Sequence, residues 1–308
     1  MYNGVIIVNK EAGFTSHDVV AKLRGILKQK KIGPTGTLDP DATGVLPVCL
    51  GHATKLCDML TDKDKTYETV MMLGKVTDTQ DISGKIIEEC DVAAMKEKGM
   101  LDDESILKTI MSFVGEYSQI PPMYSALKVN GRKLYELARE GIEIERQPRQ
   151  VFINSIVDIV IDFPRVIMTV SCSKGTYIRT LCHDIGVKLG CGACMETLKR
   201  TRLSTFALED ALTLGEISEL VATEGNIDSH ILPVEEIFKN YDCVYTKEEF
   251  DKLIYNGNSL KMNMVRMDGS ARLTGEDKVR VYDSKGTFMG IFVYNSKEML
   301  LKVEKMFF

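Results

Sequence analysis

Asp39 stands between Leu38 and Pro40 in the stretch Gly33-Pro34-Thr35-Gly36-Thr37-Leu38-Asp39-Pro40-Asp41-Ala42-Thr43-Gly44, ahead of the apolar run Val45-Leu46-Pro47-Val48-Cys49-Leu50. Closely spaced glycines and prolines fix an irregular backbone there. A carboxylate held in such a loop, at the edge of apolar packing, is placed to act as a nucleophile or a base. Asp41 is the same residue type two positions on, and either aspartate also suits an ordinary turn by bonding its own backbone. Composition and spacing leave the two equivalent.

The elements around the loop follow from periodicity. Residues 5–8 read as a strand, and Ser16-His17-Asp18 opens a helix whose apolar positions Val19, Val20, Leu23, Ile26 and Leu27 keep helical spacing. Residues 45–50 form a buried strand, residues 53–60 a helix, and residues 65–73 a strand with Tyr67, Thr69 and Met71 on one face. Residues 88–114 are acidic and helix-prone. Ile120-Pro121-Pro122 forces extended backbone, and a short helix ends near Gly141. Residues 151–161 and 166–172 pair around Phe163-Pro164, and residues 176–189 return to a helix. Strands and helices at irregular intervals, without a repeating βαβ period, indicate an α+β fold. From Cys243 onward, short strands joined by Asp-Ser-Lys-Gly and Asn-Ser-Lys turns read as a small β domain.

At 308 residues the chain is long enough for one large domain and a small one. No stretch approaches the roughly 18 apolar residues of a membrane span, and the start lacks the features of a signal peptide, so a cytoplasmic location is expected. The eight cysteines are scattered and suit reduced thiols; the spacing of Cys191 and Cys194 without a second ligand pair gives no expectation of a metal. The net charge of -5 is unevenly spread. Lys22, Arg24, Lys28, Lys30 and Lys31 form one basic cluster, and Lys174, Arg179, Lys188, Lys199, Arg200 and Arg202 a second. Residues 209–236 carry acids without Lys or Arg. Such segregation suits a phosphate-bearing partner despite the negative total.

Gly36-Thr37-Leu38-Asp39-Pro40, followed by Ala42, Gly44-Val45-Leu46-Pro47 and Leu50-Gly51, resembles the catalytic loop of the TruB family, the tRNA pseudouridine-55 synthases. Further segments resemble that family in the same order: Lys65-Thr66-Tyr67-Glu68, Thr77-Asp78-Thr79-Gln80-Asp81, the stretch from Pro121 to Gly141, Cys172-Ser173-Lys174-Gly175-Thr176-Tyr177-Ile178-Arg179, and Glu196-Thr197-Leu198-Lys199-Arg200. The resemblance implies a pseudouridine synthase fold, with a central mixed, mainly antiparallel sheet flanked by helices. Residues 1–240 would form the catalytic domain, about 117–148 its RNA-pinning thumb, and 243–308 a PUA-like RNA-binding domain.

By the same resemblance the chain is an isomerase acting on uridine 55 of the tRNA TΨC arm. It would need no cofactor and no obligatory protein partner, and would meet the acceptor end through its last domain. Asp39 becomes the catalytic carboxylate. Attack on the sugar, attack on the uracil ring and abstraction of a sugar proton all remain open to it. Arg179 would hold Asp39 ionised, with Asp81 as second partner and Lys10 in support. Tyr67 would stack on the flipped base, and Leu198, read as helical, would wall the ring. Lys128, Arg132, Lys174, Lys199 and Arg200 would bind RNA. Pro34 departs from the family by replacing a histidine that helps fill the gap left by the flipped nucleotide, and His17 or a neighbour of Pro34 is the candidate to compensate. A tRNA-folding chaperone on the same fold and a guide-directed synthase are the rival readings.

Overall fold

The computed structural model describes residues 1–61, 63–267 and 273–308. A ten-stranded sheet dominates the larger part. Its principal strands are β1 (Gly4–Lys10), β2 (Thr43–Leu50), β3 (Lys65–Leu73), β4 (Gly115–Gln119), β5 (Arg149–Asp162), β6 (Arg165–Cys172) and β7 (Ala193–Leu203). They lie in the order β1-β2-β7-β3-β6-β5-β4, with Ile231–Leu232 added outside β1. Every neighbour is antiparallel except β7 with β2, which run parallel where Lys199 meets Thr43 and Arg200 meets Gly44. The sheet is thus mixed and mainly antiparallel.

β7 departs from the sequence expectation. Met, Glu, Leu, Lys and Arg in Ala-Cys-Met-Glu-Thr-Leu-Lys-Arg-Thr-Arg-Leu favour a helix by propensity, yet the segment is the strand between β2 and β3. Pairing on both edges overrides a preference worth only tenths of a kcal/mol per residue. Register shifts between Met195 and Thr197, and between Arg200 and Arg202, bend it locally and re-aim its side chains.

Two helices matter for the site. The helix α1 (Ser16–Leu27) is closed at its start by Thr15 and Asp18 in a reciprocal cap, and it buries Val19, Val20, Leu23 and Leu27 against the sheet. The helix α2 (Ile178–Leu189) buries Leu181, Cys182 and Ile185 against β3, β6 and β7. Gly186 permits that approach, since a Cβ there would stand 2.1 Å from the Ala193 amide nitrogen. Gly44 serves the Asp39 loop similarly: its φ is +101° and a Cβ would meet the Arg200 carbonyl oxygen at 2.2 Å.

The chain leaves the sheet after Gln119 and returns at Arg149, and these two residues are direct cross-strand partners. Between them Met123, Leu134 and Leu137 form a small core of their own under a two-stranded ribbon and the helix Leu134–Arg139. The C-terminal part is a six-stranded sheet beginning at Asp242. It forms its own core around Val244, Val281 and Phe292. Ile291 and Phe307 also join Val5, Val45, Leu203 and Phe206 in a shared apolar cluster, so the small domain is fastened to the large one.

Candidate active site

The Asp39 loop is pinned on both sides of the carboxylate. The Leu38 amide donates to Ser16 Oγ at 3.0 Å, and the Leu38 side chain enters the core with Ala42. On the other side the Pro40 carbonyl accepts from Lys10 Nζ at 2.8 Å and from the Gly13 amide at 3.0 Å. Lys10 is wholly buried and spends its other protons on the carbonyls of Glu11 and Phe14, at 3.0 and 2.6 Å. Burial lowers its ammonium to about 8, against the upward pull of Asp41 and Asp39. Lys10 is therefore part of the scaffold that fixes the loop.

Arg179, in the first turn of α2 and 5% exposed, distinguishes Asp39 from Asp41. Its Nε lies 3.0 Å from Asp39 Oδ2, and Nη2 donates to Asp39 Oδ1 at 3.4 Å. Nη2 also donates to the Tyr124 carbonyl at 2.8 Å, while Nη1 reaches the Thr79 carbonyl at 3.1 Å and Asp81 Oδ2 at 3.5 Å. The guanidinium thus makes four hydrogen bonds and, through Nε, a close ion pair, with two of these five contacts on one carboxylate. Asp81 is held for this contact because its Oδ1 accepts from Thr79 Oγ1, Ser83 Oγ and the Ser83 amide. Its loop is sewn to β7 by Met195 N to Gln80 O at 3.0 Å and Ile82 N to Met195 O at 2.8 Å.

Asp39 faces a cleft of about 1300 Å³ also lined by His17, Thr69, Asp81, Tyr124, Tyr177 and Leu198. Its side chain keeps 44% of its surface, but that surface opens into a concavity walled by protein. Poor hydration raises its pKa; Arg179 and Lys10 oppose the rise, and Asp81 and Asp41 add to it. The expected net lowering by Arg179 is not found, because desolvation outweighs the ion pair. The carboxylate is fixed in direction by a fork of two N–H groups and thinly solvated, as a nucleophile or base requires.

The other expected residues divide. Leu198 is half-buried on β7, where it lines the cleft as an apolar wall from a strand and not from a helix. Tyr67 does not reach the cleft surface: it is 7% exposed, packs with Leu38 and Ala42, and lies against the Arg200 side chain, with its phenol pushed up to about 12 by burial. It underpins the Asp39 loop, whereas the phenol rings of Tyr124, Tyr135 and Tyr177 line the cleft. The signal for these lay inside the thumb and arginine motifs.

Among the expected RNA contacts, Lys128 and Arg132 are exposed on the thumb ribbon, Arg132 in an ion pair with Glu140, and Lys174 is exposed in the turn before α2. Lys199 lines the cleft 4.0 Å from Glu68. Arg200 does not belong with them. It is 1% exposed, opposite Tyr67, and its Nε donates to the Val45 carbonyl at 2.7 Å, so it locks β7 to β2 and cannot reach a phosphate. Pro34 is built into the short strand Ile32–Pro34, paired with Val48, away from the cleft wall that His17 helps to form. Cys191 and Cys194 are buried free thiols, and among the described residues no group of three His, Cys, Asp or Glu is arranged to hold a metal ion.

The family model described as TruB family pseudouridylate synthase (N terminal domain) matches residues 24–178, and that described as tRNA pseudouridylate synthase B C-terminal domain matches residues 179–239. The chain is 51% identical to a tRNA pseudouridine synthase B of Lachnoclostridium phytofermentans over 99% of both chains. It is 43% identical to that of Clostridium perfringens over 99% of this chain and 98% of the relative. Among solved structures it resembles a chain of an H/ACA RNP bound to a substrate RNA containing 2'-deoxyuridine, with a TM-score of 0.70 and 27% identity over 99% of this chain and 85% of that one.

Proposed function

Because the chain belongs to the TruB family of pseudouridylate synthases, we propose that it isomerises uridine 55 in the TΨC arm of tRNA to pseudouridine, with Asp39 as the catalytic carboxylate. The observation that carries the reading is Arg179, whose five contacts include two that aim Asp39 into the cleft.

Uridine and pseudouridine have the same atoms. The N1–C1′ bond breaks, C5 joins C1′, the hydrogen on C5 leaves, and N1 gains a proton. No redox equivalent is needed, and the chemistry falls to a carboxylate, a shaped cleft and proton transfer. The base must first leave the RNA stack, at a cost of about a few kcal/mol. The cleft offers Leu198 as an apolar wall and the rings of Tyr124, Tyr135 and Tyr177 as stacking and hydrogen-bonding surface. Tyr67 supports the loop from behind, and Lys10 and Asp81 hold the two ends of the network. In this reading Lys128, Arg132, Lys174 and Lys199 neutralise phosphates of the bound RNA, and the C-terminal sheet meets the acceptor end. Its action on tRNA implies work in the cytoplasm; among the described residues no helix is long and apolar enough to cross a membrane.

The likeness to a chain of an H/ACA RNP favours one rival, a synthase that needs a guide RNA. Incubating the purified protein alone with unmodified tRNA transcript and mapping pseudouridine separates the readings. Conversion at position 55 without additions supports the proposal. Conversion only with a guide RNA, or tRNA refolding with no pseudouridine at all, overturns it.

A further inference from the structure

Among the contacts that join the active site to the thumb, two reach Arg179 and the start of its helix. One is the Tyr124 carbonyl, which shares Arg179 Nη2 with Asp39. The second is Gln119, the last residue of β4, which lies at the neck where the thumb leaves the sheet and faces Arg149, where it returns. Gln119 is 1% exposed, and both ends of its amide are spent on the backbone of one residue at the start of α2. Its Oε1 accepts from the Tyr177 amide at 2.8 Å and its Nε2 donates to the Tyr177 carbonyl at 3.0 Å. Tyr177 is the N-cap of α2 and has no side-chain cap of its own; Gln119 Oε1 satisfies the Tyr177 amide, one of the free N–H groups at the helix start. Arg179 follows two residues later.

We propose that Gln119 is a positioning residue for the isomerisation: it ties the neck of the thumb to the start of α2, so that this joint sets the register of the arginine that aims Asp39. This deepens the function proposed above and rests on it. A thumb displaced by RNA pulls on Tyr177 through Gln119 and on Arg179 through the Tyr124 carbonyl, and the Asp39–Arg179 geometry responds. Without the two Gln119 hydrogen bonds, Arg179 loses its register against the carboxylate while the RNA-facing lysines stay where they are.

The test uses the full chain with Gln119→Met, which keeps length but removes both bonds, and Gln119→Glu, which keeps the acceptor and removes the donor. Single-turnover conversion of saturating tRNA is measured across pH, with tRNA affinity and thermal unfolding in parallel. The groups facing Asp39 are Arg179 from α2, Asp81 from its loop, Lys10 from β1, Asp41 from its own loop, and the phenols of Tyr67 and Tyr177. A misaligned Arg179 weakens the main attraction that keeps Asp39 ionised, so the acid limb of the rate moves to higher pH in Gln119→Met. The single-turnover rate falls about 10- to 100-fold, as expected for a catalytic pair out of line, tRNA affinity stays within about twofold, and Gln119→Glu loses less. Lower thermal stability with an unchanged rate per folded molecule and an unmoved acid limb overturns the proposal, as does a loss confined to affinity. If Gln119→Met does not fold, Gln119→Glu decides by the same limb. Wild-type protein that makes no pseudouridine refutes the proposed function instead, so the two failures are distinguishable.

Discussion

Replacing Arg179 with lysine keeps the charge and removes the fork. The arginine makes two contacts to Asp39 and one each to Asp81, Thr79 and Tyr124. A lysine ammonium has three donors on one atom and cannot span both Asp39 oxygens while serving partners on the opposite edge. At least two of the five contacts are lost, and a hydrogen bond to a charged group is worth about 1.5–3 kcal/mol. If one such bond is fully expressed in the transition state, about 1.4 kcal/mol per tenfold converts this into a rate loss of about 10- to 150-fold. The assay follows from the chemistry. Tritium placed on C5 of the target uridine is released to water on conversion, so enzyme in excess over labelled tRNA reports the chemical step alone. Binding of tRNA, measured separately, stays near wild type, because a buried residue does not meet phosphate. A single-turnover rate within about threefold of wild type would mean that the fork does not aim the carboxylate.

Arg200→Met costs stability by unlocking β7 from β2 and leaves the salt dependence of tRNA binding intact; Lys128→Ala leaves stability intact and reduces the salt slope by about one, and the reverse pattern would contradict the buried placement of Arg200. His17→Ala weakens tRNA binding, whereas Pro34→His brings no gain in apparent Michaelis constant because position 34 lies in a strand away from the cleft; improved binding by Pro34→His would restore the idea of a displaced stacking residue. Lys10, lowered to about 8 in the fold from an ordinary 10.5, gives a pH signature. Between those values the unfolded chain holds a proton the folded chain has shed, so wild type gains unfolding free energy relative to Lys10→Met as pH rises through that window, and the difference is flat below it. Denaturant unfolding from about pH 7 to 10 checks this, and a pH-independent difference would show that Lys10 titrates normally.

Asp39, Arg179 and Asp81 were legible only through short motifs that resemble the family's, since spacing alone leaves Asp39 and Asp41 equivalent, and the fold brings those motifs together above Lys10. Arg200 was not. In the sequence it is one more cation beside Lys199 and Arg202, and only its pairing opposite Tyr67 and the Val45 carbonyl shows that it is interior. Tyr67 was misread for a related reason, since period-two alternation gives its face of β3 but not that Leu38 and Ala42 cover that face. The strand carrying Leu198 has helix-forming residues whose preference two neighbouring strands override. The direction of the Asp39 pKa depends on cleft depth, which no spacing of residues encodes. Tyr177, Tyr124 and Gln119 gain their roles from tertiary contacts with Arg179 and the thumb neck.

That the Asp39 carboxylate performs the reaction is tested most directly by Asp39→Asn. The amide keeps the shape and volume of the side chain but offers no nucleophilic or basic oxygen. Single-turnover incubation of the purified variant with unmodified tRNA, with pseudouridine mapped at position 55 and tRNA affinity measured on the same preparation, should give affinity near wild type and no pseudouridine. Pseudouridine formed at an appreciable fraction of the wild-type rate, by a preparation free of wild-type enzyme and of variant deamidated back to aspartate, would contradict the assignment.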